Sequence, residues 1–279
     1  MRAMTVKPAG YWLRPRPPDN QPMSPDLADL VGHVLQCPWC DGPFVPDRDG
    51  IWDAMGGAHA PRSLAQLSNV VPPTPQLYER LWRTRSVSLL SHGTLSLHAE
   101  LTALRRWMPT DGVLADIGCS EGLYARTMAA VGATVVAIDH SRPFLRRVGR
   151  RAAGLPVAPV RALAQRLPIG DGALDGVMIG GSLNEIGDLD GAVAEMGRVT
   201  QPGGRLFSMS LVQATSTKGR LMQSVLGLTG IVFPTVARTQ DLFERAGFRI
   251  ETCDRDGIVL RIAGTRATSP RRLRGDVSS

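Results

Sequence analysis

The stretch that decides the fold is Asp116-Ile117-Gly118-Cys119-Ser120-Glu121-Gly122. It joins the apolar run at 113–117, which predicts a buried strand, to a helix predicted over 120–131. Gly118 and Gly122 can adopt backbone conformations that other residues resist, and they present no side chain to a ligand. Because a helix N-terminus offers unpaired N–H groups and a partial positive charge, this turn predicts a ligand-binding loop.

Outward from this loop, strands alternate with helices. The pattern predicts strands at 113–117, 134–138, 157–162, 176–180, 204–211, 248–253 and 258–263, with helices at 120–131, 142–152, 189–199 and 239–246. Such alternation is typical of an α/β fold: a doubly wound, seven-stranded, mostly parallel sheet. Ligands on these sheets bind at the carboxyl ends of the strands, near the point where the strand order reverses.

A second acidic residue supports this placement. Asp139 ends the second predicted strand, 23 residues after Asp116, where a carboxylate can accept hydrogen bonds from both hydroxyls of a ribose. A nicotinamide dinucleotide site would prefer G-x-G-x-x-G, with room for a pyrophosphate. Here the register is D-x-G-x-x-x-G, and an acid within the loop's reach suits a cationic ammonium or amino-acid group instead.

Four motifs in order resemble the class I S-adenosylmethionine-dependent methyltransferases, in the branch of the ubiquinone and menaquinone methyltransferases. They lie at 116–122, 135–139, 167–177 and 198–206, so the resemblance covers residues 112–211. It implies a Rossmann-like fold, S-adenosylmethionine as cofactor, and an enzyme that transfers a methyl group to a small, hydrophobic or aromatic acceptor.

The resemblance also implies roles by position. The loop backbone would follow the methionine half of the cofactor, Asp116 would orient that loop or the ammonium group, and Asp139 would bind the ribose. The remaining expected cofactor contacts are Tyr78, Gly118, Cys119, Ser120, Gly122, His140, Ala164, Gln165 and Ser182. One departure is Leu163, which stands where the family commonly has an acid for the adenine amino group. The missing bond is worth about 1 kcal/mol unless Gln165 supplies it.

Other residues are candidates for catalysis and for the acceptor. His140 or Glu185 could act as a general base, which methyl transfer requires only if the acceptor must lose a proton. We expect the acceptor to contact Trp82, Asn184, Met222 and Phe233. The last two lie in an apolar insertion at 212–238, which favours a hydrophobic acceptor.

The N-terminal part differs in composition, since all five tryptophans precede residue 108. We predict an irregular arm at 1–24, a small degenerate knuckle and linker at 25–75, a mostly helical cap at 76–108, the methyltransferase domain at 109–265 and a basic tail at 266–279. Cys37 and Cys40 form half of a zinc knuckle. Zinc normally takes four ligands, so a metal-free remnant is preferred over a completed zinc site.

The charge of the chain leaves a second function open. The net charge is +7, and 30 of the 32 basic residues are arginines, which fits either a coding bias or a phosphate-binding surface. An rRNA or tRNA base methyltransferase is therefore the alternative, followed by a cofactor-binding protein without methyl transfer. Without a signal-peptide h-region or an apolar run of about 20 residues, we expect a cytoplasmic monomer or homodimer and no membrane span.

Overall fold

A computed structural model describes residues 25–37, 44–56, 90–91 and 93–268. Tyr78, Trp82 and Cys40 lie outside the described residues, as do the predicted arm and most of the predicted tail. The roles expected for these residues therefore remain predictions.

The described chain begins with helix α1 (Pro25–Val34), strand β1 (Trp52–Asp53) and helix α2 (Leu97–Trp107). The alternating part follows, with the predicted strands and helices in their predicted order; a 3-10 helix at 183–185 and a helix within the insertion at 212–238 were not predicted. It comprises β2 (Val113–Ile117), α3 (Leu123–Ala129), β3 (Thr134–Asp139), α4 (Arg142–Arg151), β4 (Val157–Arg161), β5 (Leu174–Gly180), a 3-10 helix (Leu183–Glu185), α5 (Leu189–Val199), β6 (Thr200–Leu211), α6 (Thr217–Gly227), α7 (Val236–Arg245), β7 (Phe248–Asp256) and β8 (Val259–Arg266).

These strands form one sheet in the order β1-β4-β3-β2-β5-β6-β8-β7. All neighbouring pairs from β1 to β6 are parallel, whereas β8 runs antiparallel to both β6 and β7. The strand order reverses between β2 and β5, which lie side by side at the centre. The prediction of a doubly wound, mostly parallel α/β sheet is therefore confirmed, and the carboxyl ends of β2 and β5 mark the expected binding crevice.

The predicted count of seven strands is wrong, because the described residues alone form a sheet of eight. The additional strand, β1, comes from the N-terminal region and pairs with β4 through Trp52↔Val160 and Asp53↔Arg161. Trp52 is buried and its indole N–H donates to the Phe44 carbonyl at 3.2 Å. Two residues carry no periodicity that could reveal a partner more than 100 positions away.

Apolar side chains fill both faces of the sheet, as expected of a parallel sheet covered by helices. One core contains side chains from α2, α3 and α4, including Leu104, Met128 and Leu145. The other contains side chains from α1, α5 and α7, including Val31 and Phe243. The helices thus leave the carboxyl edge of the sheet to the loops that follow each strand.

Candidate functional site

The loop after β2 has an unusual backbone. Gly118, Ser120 and Gly122 all adopt positive φ angles, of 64°, 49° and 72°. Ser120 is the one non-glycine residue with positive φ in the described part of the chain. Its backbone N–H donates to Asp139 Oδ2 at 2.9 Å, which holds the conformation in place. A strained residue fixed by a carboxylate is typical of a ligand-binding loop.

Gly118 and Ser182 connect the two central strands across the crevice. The Ser182 hydroxyl donates to the Gly118 carbonyl at 2.6 Å. A Cβ atom at position 118 would lie 2.6 Å from the Ser182 Cβ, closer than real Cβ atoms approach other atoms. Glycine is therefore required at 118 both for the positive φ and for this contact between the ends of β2 and β5.

Asp116 holds the start of helix α3. Gly122 is the N-cap of that helix and has no side chain to accept a bond, but Asp116 Oδ2 accepts the Ala125 N–H at 3.0 Å. A buried carboxylate at this position satisfies one orphan donor and interacts favourably with the helix dipole. Asp116 was expected to orient either the loop or the ammonium group of the ligand. The bond to the Ala125 N–H favours orientation of the loop.

Glu121 points away from the ligand side of the loop. Its buried carboxylate forms ion pairs with two arginines of α4, Arg147 at 2.5 Å and Arg151 at 2.6 Å. The sequence analysis did not predict these ion pairs. The i, i+4 spacing of Arg147 and Arg151 was the signal available in the sequence, since residues so spaced lie on one helix face.

Asp139 lies at the carboxyl end of β3, within the crevice. Its Oδ1 accepts the Ser141 N–H at 2.8 Å, while Oδ2 accepts the Ser120 N–H. An ionised carboxylate has about four acceptor sites, so two remain for hydroxyl donors. His140 Nδ1 lies 3.5 Å from Asp139 Oδ1, and His140 Nε2 is buried without a hydrogen-bond partner among the described residues.

The expected adenine-edge residues lie beside this carboxylate. The Ala162 N–H donates to the Asp139 carbonyl at 3.2 Å, and a tight turn follows, closed by the Arg166 N–H bond to the Leu163 carbonyl at 3.0 Å. Ala164 and Gln165 occupy the tip of that turn and are partly buried. The fold therefore brings this turn, Asp139 and the glycine loop to the same edge of the sheet.

Cys119 is buried within the loop. Burial, together with the nearby Asp139 and Asp116 carboxylates, holds the pKa of its thiol well above the ordinary range. Its backbone N–H donates to the Ile138 carbonyl at 2.9 Å, which extends the β2–β3 pairing into the loop. A thiol in this setting stays protonated and acts as a small apolar residue.

The acceptor candidates are placed differently from one another. Asn184 is buried: its Nδ2 donates to the carbonyls of Leu211 (2.7 Å) and Val232 (2.6 Å), and its Oδ1 accepts the Leu211 N–H. These contacts hold the insertion against the end of β5. Phe233 and Glu185 are partly buried near the same junction. The Met222 side chain is exposed on α6.

The N-terminal region is joined to the domain by ion pairs near this edge. Asp53 Oδ2 accepts from Arg142 at 3.1 Å and from Arg161 at 3.0 Å, and Arg161 Nε also donates to the His140 carbonyl. Arg142 and Arg146 both pair with Asp49 as well.

The described residues contain no group of three or more His, Cys, Asp or Glu side chains that could hold a metal ion.

Comparison with known proteins agrees with this geometry. The model of a family described as "Methyltransferase domain" matches residues 115–208, which run from β2 through the loop and Asp139 to β6. Over residues 115–208 the chain is therefore similar to methyltransferases. The matched segment therefore contains the glycine loop, Asp139 and Ser182.

Relatives of the methyltransferase domain include two mycobacterial proteins named demethylmenaquinone methyltransferase. The protein from Mycolicibacterium gilvum is 40% identical over 100 residues, 35% of this chain and 41% of the relative. The protein from Mycobacterium marinum is 35% identical over 155 residues, 53% of this chain and 58% of the relative. The chain thus spans roughly half the length of these relatives.

A solved structure of geranyl diphosphate methyltransferase in complex with S-adenosylmethionine has the same fold, with a TM-score of 0.54 and 17% identity. The match covers 62% of this chain and 88% of that chain. At this identity the similarity concerns the fold of the domain alone.

In the part of the chain that the structure describes, no helix is both long and apolar enough to cross a membrane.

Proposed function

We propose that the protein transfers a methyl group from S-adenosylmethionine to a small, hydrophobic or aromatic acceptor such as a quinone-like ring. The observation that carries this proposal is the Asp139 carboxylate. It accepts backbone N–H groups from the strained Ser120 and from Ser141, and it keeps acceptor capacity for two hydroxyls beside the glycine loop.

The residues around Asp139 fit the cofactor. The loop from Gly118 to Gly122 would hold the methionine half, Asp139 the ribose, and the turn containing Ala164 and Gln165 the adenine. The buried, unpartnered His140 Nε2 is an available polar contact on the same side. The bound cofactor would supply a methyl group already activated on a sulfonium, so the protein needs mainly to align the acceptor with it.

The chain's own contribution to the reaction would be positioning and water exclusion. Ser182, fixed through the Gly118 carbonyl, defines the distance between the loop and the acceptor side. His140, beside Asp139, and Glu185, in the 3-10 helix, are the two groups that could accept a proton from an acidic acceptor. The sequence and the geometry do not require either group for an acceptor that needs no deprotonation.

Two features favour a small hydrophobic acceptor over RNA. The insertion next to Ser182 is rich in apolar residues, and four of the five arginines of α4 are paired with carboxylates rather than presented as a free cationic surface. Arg142 and Arg146 pair with acids of the N-terminal region, and Arg147 and Arg151 pair with Glu121. The names of the mycobacterial relatives support a quinone-like ring as the first acceptor to test.

Calorimetry with S-adenosylmethionine, and with its demethylated product, tests the cofactor site. We expect the Asp139→Asn variant to bind about 10- to 100-fold more weakly, since hydrogen bonds to a charged group contribute about 1.5–3 kcal/mol. The matched control is Asp254→Asn, because Asp254 is exposed on β7 and far along the chain from the loop. Absence of binding by the unaltered protein would refute the proposed cofactor.

A transfer assay then tests the acceptor. The protein is incubated with S-adenosylmethionine labelled on the methyl group and with either a demethylated naphthoquinone or ribosomal RNA. Label in the quinone fraction is the expected result. Label in RNA would replace the proposal by the RNA alternative, and cofactor binding without transfer to any acceptor tested would favour a cofactor-binding protein without methyl transfer.

A further inference from the structure

Helix α6, in the insertion after β6, buries a polar residue and exposes its large apolar residues, the opposite of the usual arrangement. Gln223 is its one buried residue within the helix bounds, whereas Leu221, Met222, Val225 and Leu226 are exposed. Leu221 is 69% and Leu228, just after the helix, 83% exposed. Leu221, Val225 and Leu228 follow the i, i+4, i+7 spacing of one helix face, which lies opposite Gln223.

The helix is held by polar bonds, so its apolar face is not needed for folding. Gln223 Oε1 accepts the Ala214 N–H at 2.8 Å, and Gln223 Nε2 donates to the Val212 carbonyl at 3.0 Å. Ser216 caps the helix by accepting the Gly219 N–H. A contiguous apolar surface that is exposed to water usually marks an interaction site. We therefore expect the apolar face of α6 to bind another surface.

The charge around the helix identifies the chemistry of that surface. The sequence contains no acidic residue between Glu195 and Asp241, and Lys218 and Arg220 begin the helix. Lys218 shares the apolar face, three positions before Leu221 and seven before Val225. Arg255, which donates to the Gln213 carbonyl, adds an exposed cation at the base of the insertion. An apolar stripe bordered by cations is complementary to an anionic lipid surface.

The position of the helix connects that surface to the acceptor side of the site. Residues 228–234 lead from α6 back to the crevice, where the Val232 N–H donates to the Asn184 carbonyl at 2.9 Å. Asn184 follows Ser182 by two residues, so the end of the insertion lies against the segment that follows β5. A lipophilic acceptor dissolved in a bilayer would therefore meet the protein where the crevice is closest to the exposed leucines.

We propose that the face of α6 formed by Leu221, Val225 and Leu228, with Lys218 and Arg220, docks on the surface of an anionic bilayer. At eleven residues the helix is shorter than the roughly 20 needed to cross the hydrocarbon core, so it lies in the interface. This inference rests on the proposed function in one respect only, that the acceptor is lipophilic and is taken from the membrane.

Vesicle flotation of the full chain tests the proposal. Vesicles of equal parts phosphatidylglycerol and phosphatidylcholine are expected to carry the protein upward, and pure phosphatidylcholine to carry much less. The double variant Leu221→Ser/Val225→Ser should bind anionic vesicles at least about tenfold more weakly, because binding scales with buried apolar area. Lys218→Gln and Arg220→Gln should each weaken binding to anionic vesicles about fivefold, without affecting binding to neutral vesicles.

The control is Val45→Ser, which removes an exposed apolar side chain (67% exposed) from another part of the surface and should bind vesicles normally. Equal binding by the double variant and the unaltered chain, or no flotation with either vesicle, would overturn the proposal. Sedimentation velocity gives a third refuting outcome: a dimer that the double variant converts to a monomer, without vesicle binding, would assign the face to a second copy.

Failure of the docking proposal and failure of the proposed function are distinguishable. Flotation requires no cofactor, and calorimetry with S-adenosylmethionine requires no vesicle. Cofactor binding without flotation removes only the docking proposal, whereas flotation without cofactor binding removes only the proposed function and leaves the docking surface established. Unchanged cofactor binding by the double variant shows that it is folded.

Discussion

The glycine loop and helix α6 each follow a parallel strand of the same sheet, but they distribute polar groups in opposite ways. In the loop, carboxylates are buried and bonded to backbone N–H groups, as for Asp116 and Asp139. In α6, one glutamine is buried and the large apolar residues face outward. The proposed function rests on the first arrangement, a loop that would hold a polar ligand, and the proposed docking surface rests on the second.

The largest expected effect is in the loop. Gly118→Ala introduces a Cβ 2.6 Å from the Ser182 Cβ at a φ of 64°. We expect the free energy of unfolding to fall by about 3 kcal/mol, the sum of left-handed strain and overpacking, with loss of S-adenosylmethionine binding. Urea unfolding and calorimetry measure the two effects.

The control for this change is Gly50→Ala. Gly50 has a similar φ of 74° but no atom within 4 Å of the added Cβ, so only the strain of about 1–2 kcal/mol applies. If Gly118→Ala and Gly50→Ala lowered the free energy of unfolding equally, the close contact between positions 118 and 182 would add nothing to the cost. The tight packing assigned to the loop would then be wrong.

The next effect concerns the junction between the two regions. Asn184→Ala removes three hydrogen bonds and leaves backbone groups of Leu211 and Val232 without this partner. We expect a loss of about 2 kcal/mol in stability and a KM for the acceptor that rises more than the KM for S-adenosylmethionine. Ser224→Ala, which removes an exposed hydroxyl on α6, should change neither quantity. Equal increases in both KM values would contradict a junction specific to the acceptor side.

The sequence predicted the loop side far better than the insertion. The strand period and the glycine spacing placed the loop and Asp139 at one edge, because those features depend on local backbone geometry. The direction of Glu121 depends on arginines of α4, and the pairing of β1 depends on contacts between distant residues, so neither has a local signal. In α6, helically spaced apolar residues normally predict a buried face, and only the structure showed that this face points outward.

A smaller effect is expected at Asp53, where the pKa supplies a pH dependence. Burial acts to raise the pKa of this carboxyl, but the Met55 N–H bond and Arg161 outweigh it, so the pKa lies below the ordinary value. Its contribution to stability is therefore present above the unfolded pKa and lost as the pH falls through the folded one. Asp53→Asn should cost about 1 kcal/mol at pH 7, and the difference should shrink as the pH falls below the ordinary range of a carboxyl pKa.

Thermal unfolding at a series of pH values measures this dependence. Asp254→Asn serves as the control, since Asp254 is exposed and lies 4.0 Å from its arginine partner. A difference between Asp53→Asn and the unaltered protein that stayed constant from neutral to acidic pH would exclude the ion pairs of Asp53 as its source.

The smallest effect on stability should come from α6. Leu221→Ser is expected to change the free energy of unfolding by less than about 0.5 kcal/mol, because the side chain is already in water. Leu114→Ala, at a fully buried leucine in β2, should cost about 2–5 kcal/mol. A cost near that of Leu114→Ala at position 221 would show that the outer face of α6 is covered within the folded chain.

Strand β1 has a consequence for how the protein can be shortened. Without the Trp52–Asp53 pairing, the backbone groups of Val160 and Arg161 on that side of β4 would become part of an open sheet border. Open borders of this kind recruit strands from other molecules and lead to aggregation. A version starting at the methyltransferase domain should therefore precipitate more readily than one that begins before Phe44, even though both contain the glycine loop, Asp139 and Ser182.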